Sequence, residues 1–86
     1  MAKKSNNMAR LEGLMSAANE KFRANNCWYE IYILGGCIQV EILWGDWKHD
    51  HGYVDYVMRS LGLSKLDERI TEEDQSDTYS SIHIYR

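Results

Sequence analysis

Cys27-Trp28-Tyr29-Glu30-Ile31-Tyr32-Ile33-Leu34-Gly35-Gly36-Cys37-Ile38-Gln39-Val40-Glu41-Ile42-Leu43-Trp44 is the stretch whose reading decides the fold. Two runs rich in β-branched and aromatic residues flank Gly35-Gly36, and a glycine pair accepts the positive φ that a two-residue hairpin turn demands. Such a turn sets the pairing. Opposed residues have numbers adding to 71, so Leu34 faces Cys37, Ile33 faces Ile38, Ile31 faces Val40 and Tyr29 faces Ile42. One face of the hairpin is nearly pure aliphatic. The other carries Trp28, Glu30, Tyr32 and Leu34 against Leu43, Glu41, Gln39 and Cys37, a mixture of aromatic and acidic groups. In this register Cys27 lies opposite Trp44 and about 23 Å along the strand from Cys37, at ~3.3 Å per residue, so both cysteines are expected as free thiols.

Working outward, Met8, Leu11, Met15, Ala18 and Phe22 recur at steps of three and four, the apolar stripe of an amphipathic helix over residues 8–23. Residues 1–7 form a polar tail expected to be flexible. After the hairpin, residues 45–52 read as a loop with Asp46 or Asp50 capping a second helix. Val54, Val57, Met58 and Leu61 form that helix's buried stripe, and Gly62-Leu63 reads as a left-handed C-cap with its hydrophobic contact. Residues 66–71 suit a short or bulged edge strand, and residues 72–77 a loop. The chain closes with a strand from Tyr79, whose Ile82 and Ile84 are expected on the core side and Ser81, His83 and Tyr85 opposite. The fold class is α+β: one layer of two helices on one face of a mainly antiparallel sheet of three or four strands, in the order α-β-β-α-(β)-β.

Eighty-six residues suffice for one domain with one core. A content of 44% hydrophobic and 27% charged residues is that of a globular chain rather than a disordered one. No apolar run approaches the roughly 20 residues that cross a bilayer, and no signal-type segment follows the polar start. The expected location is the cytoplasm of the cell that makes it. The charge of −3 is uneven: residues 1–40 hold five Lys/Arg against three Asp/Glu, residues 41–86 five against ten. An acidic half argues against nucleic acid as a direct ligand and suits a partner with a basic surface.

Three groups of residues could carry chemistry. Asp46, His49, Asp50 and His51 crowd one loop, and His83 could approach it; Asp46, His49, His51 and His83 together are the donor types that bind zinc or a similar ion. A capped helix start with an exposed loop explains the same residues without metal. Glu30 and Glu41 face each other across the hairpin, a destabilising pair that needs relief from solvent, from Arg69 or His83, from a cation or from a partner. The third group is Trp28, Tyr32 and Tyr85 on the outer sheet face with Leu34 and Leu43, the composition of an interaction patch unless a loop folds over it. The same aromatics could stack nucleobases, although glutamates stand where such sheets carry Lys and Arg. The run Glu72-Glu73-Asp74-Gln75-Ser76-Asp77 is acidic but lacks the order of a calcium loop. The chain has no Walker loop, dinucleotide fingerprint or nucleophile elbow, and neither an enzymatic activity nor a cofactor is expected.

The segments Trp44-Gly45-Asp46-Trp47-Lys48-His49-Asp50-His51 and Thr71 to His83 resemble small uncharacterised proteins carried by phages and mobile elements of bacteria. Such elements also encode anti-CRISPR proteins, and this chain is similar to them in size, acidity and lack of catalytic motifs. The resemblance assigns no residue roles. It implies a small inhibitor that binds a host protein, with Trp28, Glu30, Tyr32, Glu41, Glu72, Glu73, Asp74, Asp77 and Tyr85 as the expected contacts. The alternatives are a metal-binding module or metal-dependent enzyme built on Asp46, His49, His51 and His83, and a homodimeric structural protein pairing the outer sheet face.

Overall fold

Gly35 and Gly36 have φ of 61° and 76°, two successive left-handed residues as a tight hairpin turn of the primed type requires. In the computed structural model, which describes residues 6–24, 29–73 and 78–86, this turn joins β1 (Tyr29–Leu34) to β2 (Cys37–Asp46). The register is the expected one in all six pairs, from Leu34 with Cys37 to Tyr29 with Ile42. Helix α1 spans Asn6–Ala24, a π-helical turn Trp47–His51 leads into α2 (Gly52–Ser60), and β3 (Lys65–Glu73) and β4 (Thr78–Tyr85) follow. The sheet is antiparallel throughout, in the order β1-β2-β4-β3. The α+β class and the sequence of elements are those expected.

The core forms where both helices meet the aliphatic face of β2. Leu11, Ala18 and Phe22 of α1 and Val54, Val57 and Met58 of α2 are buried against Ile38, Val40 and Ile42. Fully burying side chains of this size stabilises by about 1.5–3 kcal/mol each, so this one strand anchors both helices. The Phe22 and Tyr29 rings meet edge to face at 4.7 Å, tying the end of α1 to β1. Helix α2 ends as its sequence implies: Gly62 has φ 86°, its N–H donates to the Arg59 carbonyl at 2.9 Å, and the Leu63 N–H donates to the Met58 carbonyl at 3.1 Å. Those two bonds satisfy carbonyls that the helix end would otherwise leave open, and Leu63 is buried beside them.

Several expectations need correction. Asn6 and Asn7 belong to α1 rather than to a flexible tail, and residues 1–5 lie outside the described residues. β3 is longer than expected and runs through Glu72 and Glu73, with register shifts between Lys65 and Asp67 and between Ile70 and Glu72. The largest correction concerns β4, which is turned over. Ile38 pairs with Tyr85, Val40 with His83 and Ile42 with Ser81, so Tyr85, His83 and Ser81 lie on the helix-covered face. Ile82 and Ile84 stand on the outer face opposite Glu41 and Gln39. Polar side chains can occupy the inner face because each finds a partner there. Ser81 and His83 bond to His51, and the Tyr85 hydroxyl donates to Asp55 at 3.3 Å.

Candidate functional site

The outer face begins with the carboxylate pair that the hairpin register creates. Glu30 and Glu41 are direct cross-strand neighbours. The relief comes from β1 and β2 themselves: the Tyr32 hydroxyl donates to Glu41 Oε1, and the Gln39 amide donates to the Tyr32 hydroxyl at 2.6 Å. That hydrogen bond to Glu41, and the negative charge behind it, hold the Tyr32 phenol above its ordinary pKa. The other expected sources of relief are engaged elsewhere. Arg69 pairs with Asp67 at 2.9 Å, drawing the Asp67 carboxyl below its usual range, and His83 is on the opposite face.

Around this network the face carries apolar side chains that neither helix covers and, opposite Ile82 and Ile84, the Arg69–Asp67 pair. Leu34 is 60% exposed and Leu43 38%, and Ile82 and Ile84 are half-buried beside them. Both helices lie on the other face. A bulge between Ile42 and Gly45 sets Leu43 and Trp44 against the single residue Ser80 of β4, and Trp44 holds φ at 54° and is exposed. A left-handed tryptophan is strained, and the Ser80 hydroxyl, accepting from the Trp44 N–H at 3.2 Å, helps to hold it. Of the expected contacts, Glu30, Tyr32 and Glu41 lie together on this face, and Glu72 and Glu73 are exposed on edge strand β3. Tyr85 is not among them, being fully buried on the inner face. Trp28, Asp74 and Asp77 lie outside the described residues, as does Cys27; Cys37 is a free thiol.

The four expected metal-ligating residues are divided between two places. Asp46 and His49 are exposed and meet Asp50 rather than the other histidines. Their geometry is that of a capped turn: Asp46 Oδ1 accepts from the His49 N–H, and Asp50 Oδ2 accepts from the Asp46 N–H at 3.0 Å. His51 and His83 are buried together, with Nδ1 of His51 3.2 Å from Nε2 of His83 and the Ser81 hydroxyl 2.8 and 2.7 Å from the two nitrogens. The outer nitrogen of His51 lies 2.9 Å from the Gly45 carbonyl. Glu68 Oε1 comes within 3.0 Å of His83 Nδ1 but off the line of a good hydrogen bond, and binds Lys65 at 2.9 Å. Lys65 continues the network to Asp55 at 3.2 Å, where Arg59 binds at 2.8 Å. Burial alone would raise the Asp55 carboxyl, but the hydrogen bonds from Arg59 and Lys65 outweigh it and hold the pKa low. Burial, with Asp55 alongside, pushes the Tyr85 phenol up.

Ser81, His83 and Glu68 follow the order of a nucleophile, base and orienting carboxylate. They are sealed in the core, Ser81 being 2% exposed and His83 0%. Burial drives His83 down to about 4 against the opposing pull of Glu68, so the ring is neutral at pH 7. As placed, this cluster pins the π-helical turn to β4 and offers no substrate a way in.

Comparison of the chain with protein-family models, with curated proteins and with solved structures finds no match. The outer face therefore has to be judged on its own geometry. Ile82 and Ile84 were missed as part of it because alternation along β4 does not say which parity faces the helices. Gln39 was placed on the correct face, but its link between Tyr32 and Glu41 depends on side-chain reach across the pair. Among the described residues no helix is long and apolar enough to cross a membrane.

Proposed function

We propose that this protein is a binding protein, a small inhibitor of the phage or mobile-element kind, which engages a host protein through the outer face of its sheet. The observation that carries this reading is the one-sided sheet: on the face that neither helix covers, Leu34, Leu43, Ile82 and Ile84 stand among Glu30, the Tyr32–Gln39–Glu41 network and the Arg69–Asp67 pair. Apolar and aromatic groups beside carboxylates suit a partner that offers both a hydrophobic anchor and Lys or Arg. Glu72 and Glu73 on edge strand β3 extend the acidic margin, and with the acidic second half of the chain they favour encounter with a basic surface. A CRISPR effector, whose nucleic-acid channel is basic, is the partner class on which to test it.

The experiment is capture of the effector by the purified protein at low salt, with two variants. Glu72→Lys with Glu73→Lys should slow association and weaken the salt dependence. Tyr32→Ala should raise the dissociation rate. Capture that both variants leave unchanged overturns the proposal.

A further inference from the structure

The two edges of the sheet are not alike. β3 is protected in the ways edge strands usually are, by two register shifts and by Lys65, Asp67, Glu68, Arg69, Glu72 and Glu73 along its length. β1, the opposite edge, has neither device. Its six pairs with β2 run without a shift, and its only charged residue is Glu30.

The turn fixes which backbone groups of β1 face away from β2. In a two-residue hairpin the residues flanking the turn exchange both hydrogen bonds, so Leu34, Tyr32 and Glu30 point their N–H and C=O groups at β2. The N–H and C=O groups of Ile33 and Ile31 therefore point outward along the edge. Beside them runs an open groove lined by Asn19 and Arg23 of α1 and by Tyr29, Glu30, Ile31 and Tyr32. The walls of the groove carry opposite charges on opposite faces. Arg23 lies on the helix side and Glu30 on the outer side; both are exposed and neither makes an ion pair among the described residues.

We infer that the β1 edge is a strand-addition site, which takes an extended segment of a partner protein carrying an acidic residue next to a basic one. Alternation along a strand sends neighbouring side chains to opposite faces, so an Asp-Lys step places its carboxylate at Arg23 and its ammonium at Glu30. The outward groups of Ile31 and Ile33 supply the main-chain hydrogen bonds. A second copy of this chain fits less well. Its own β1 would bring Tyr29, Ile31 and Ile33 to the helix side and Glu30 to the outer side, with no acid for Arg23 and no base for Glu30. This contact shares Glu30 with the outer-face reading but lies along the free edge of β1 and goes beyond that reading.

The probe is a synthetic ten-residue peptide of alternating valine and threonine with one central Asp-Lys step, added at millimolar concentration and followed by amide hydrogen exchange. In the free protein the Ile31 and Ile33 amides should exchange quickly, and those of Glu30, Tyr32 and Leu34 slowly. With peptide, Ile31 and Ile33 should become protected. A peptide N-methylated at alternate residues should give no protection. Arg23→Glu and Glu30→Lys should each weaken binding roughly two- to fivefold, the range of an exposed ion pair, and the double variant should prefer the Lys-Asp peptide. No protection of Ile31 and Ile33 at saturating peptide, or equal preference of the double variant for both peptides, overturns the inference. Ile82→Asp, on the outer face away from the groove, weakening effector capture while peptide protection persists would separate this site from the outer face.

Discussion

Acid should unfold this protein through one imidazole before its carboxylates titrate. His83 is fully buried and its pKa is driven down to about 4, against 6.5 for an unburied histidine. Above pH 6.5 the ring is neutral in both the folded and the unfolded chain, and stability does not depend on it. Between 6.5 and 4 the unfolded chain holds a proton that the folded one refuses, so stability falls as pH falls. Below about 4 both forms are protonated and the loss is complete, at about 3 kcal/mol from ~1.4 kcal/mol per pH unit. At pH 5 the loss should already be about 2 kcal/mol relative to pH 7.5, or roughly 8–16 °C in melting temperature for a domain of this size. The groups facing the ring are His51 from the π-helical turn and Glu68 and Lys65 from β3, with Asp55 of α2 one step further. The assay is urea unfolding at steps between pH 4.5 and 7.5 for the parent and for His83→Gln, whose amide can still reach Ser81. The variant should be less stable at neutral pH but lose about 2 kcal/mol less on acidification. Parallel pH profiles for the two proteins would refute the reasoning, as would a nitrogen-15 titration showing His83 protonated at pH 6.

Gly45→Ala should destabilise by about 1–3 kcal/mol in the same urea assay, because an added Cβ would sit 2.6 Å from both Ile42 Cγ2 and Asp50 Cβ, neither of which is the loose end of a side chain. Gly36→Ala, at φ 76° with only the Asn7 amide within 4 Å, should cost about 1 kcal/mol from backbone conformation alone. Ile84→Thr should change stability by less than about 1 kcal/mol, since the residue is half-buried on a face that neither helix covers, whereas Val40→Thr on the inner face should cost about 1–3 kcal/mol. Equal costs for Ile84→Thr and Val40→Thr would mean that the outer face is covered.

The hairpin was legible because its turn is local. Gly35 and Gly36 determine a register that no distant contact has to supply, and with it the two faces of β1 and β2 and the Glu30–Glu41 pair. The C-cap at Gly62-Leu63 was legible for the same reason. β4 was not, because its orientation depends on residues far away in sequence. In Tyr79-Ser80-Ser81-Ile82-His83-Ile84-Tyr85 hydropathy alone assigns the isoleucines to the core. The competing parity wins because Asp55 accepts from Tyr85, and His51 and Ser81 meet Nε2 of His83, so three polar side chains find partners inside even though His83 Nδ1 is left without a hydrogen bond among the described residues. None of those partners is marked by spacing, since His51 is 32 positions from His83 and Asp55 is 30 from Tyr85.

The turned-over strand changes what the outer face can do. With Tyr85 and His83 outward, the face would have been aromatic and able to gain charge near neutral pH. With Ile82 and Ile84 outward, aliphatic groups on β4 stand between the Tyr32, Gln39 and Glu41 network beside Glu30 on one side and the Arg69–Asp67 pair on the other. A surface of that kind binds mainly by excluding water from aliphatic side chains, and its carboxylates serve orientation and encounter rate. The charge that titrates between pH 4 and 7 has moved inside, where it governs how firmly the π-helical turn is held against β4. The proposed partner binding through the outer face should therefore change little with pH between 6 and 8, while stability responds to acid below that range. The two properties rest on opposite faces of the same strand, because alternation sends His83 one way and Ile82 and Ile84 the other.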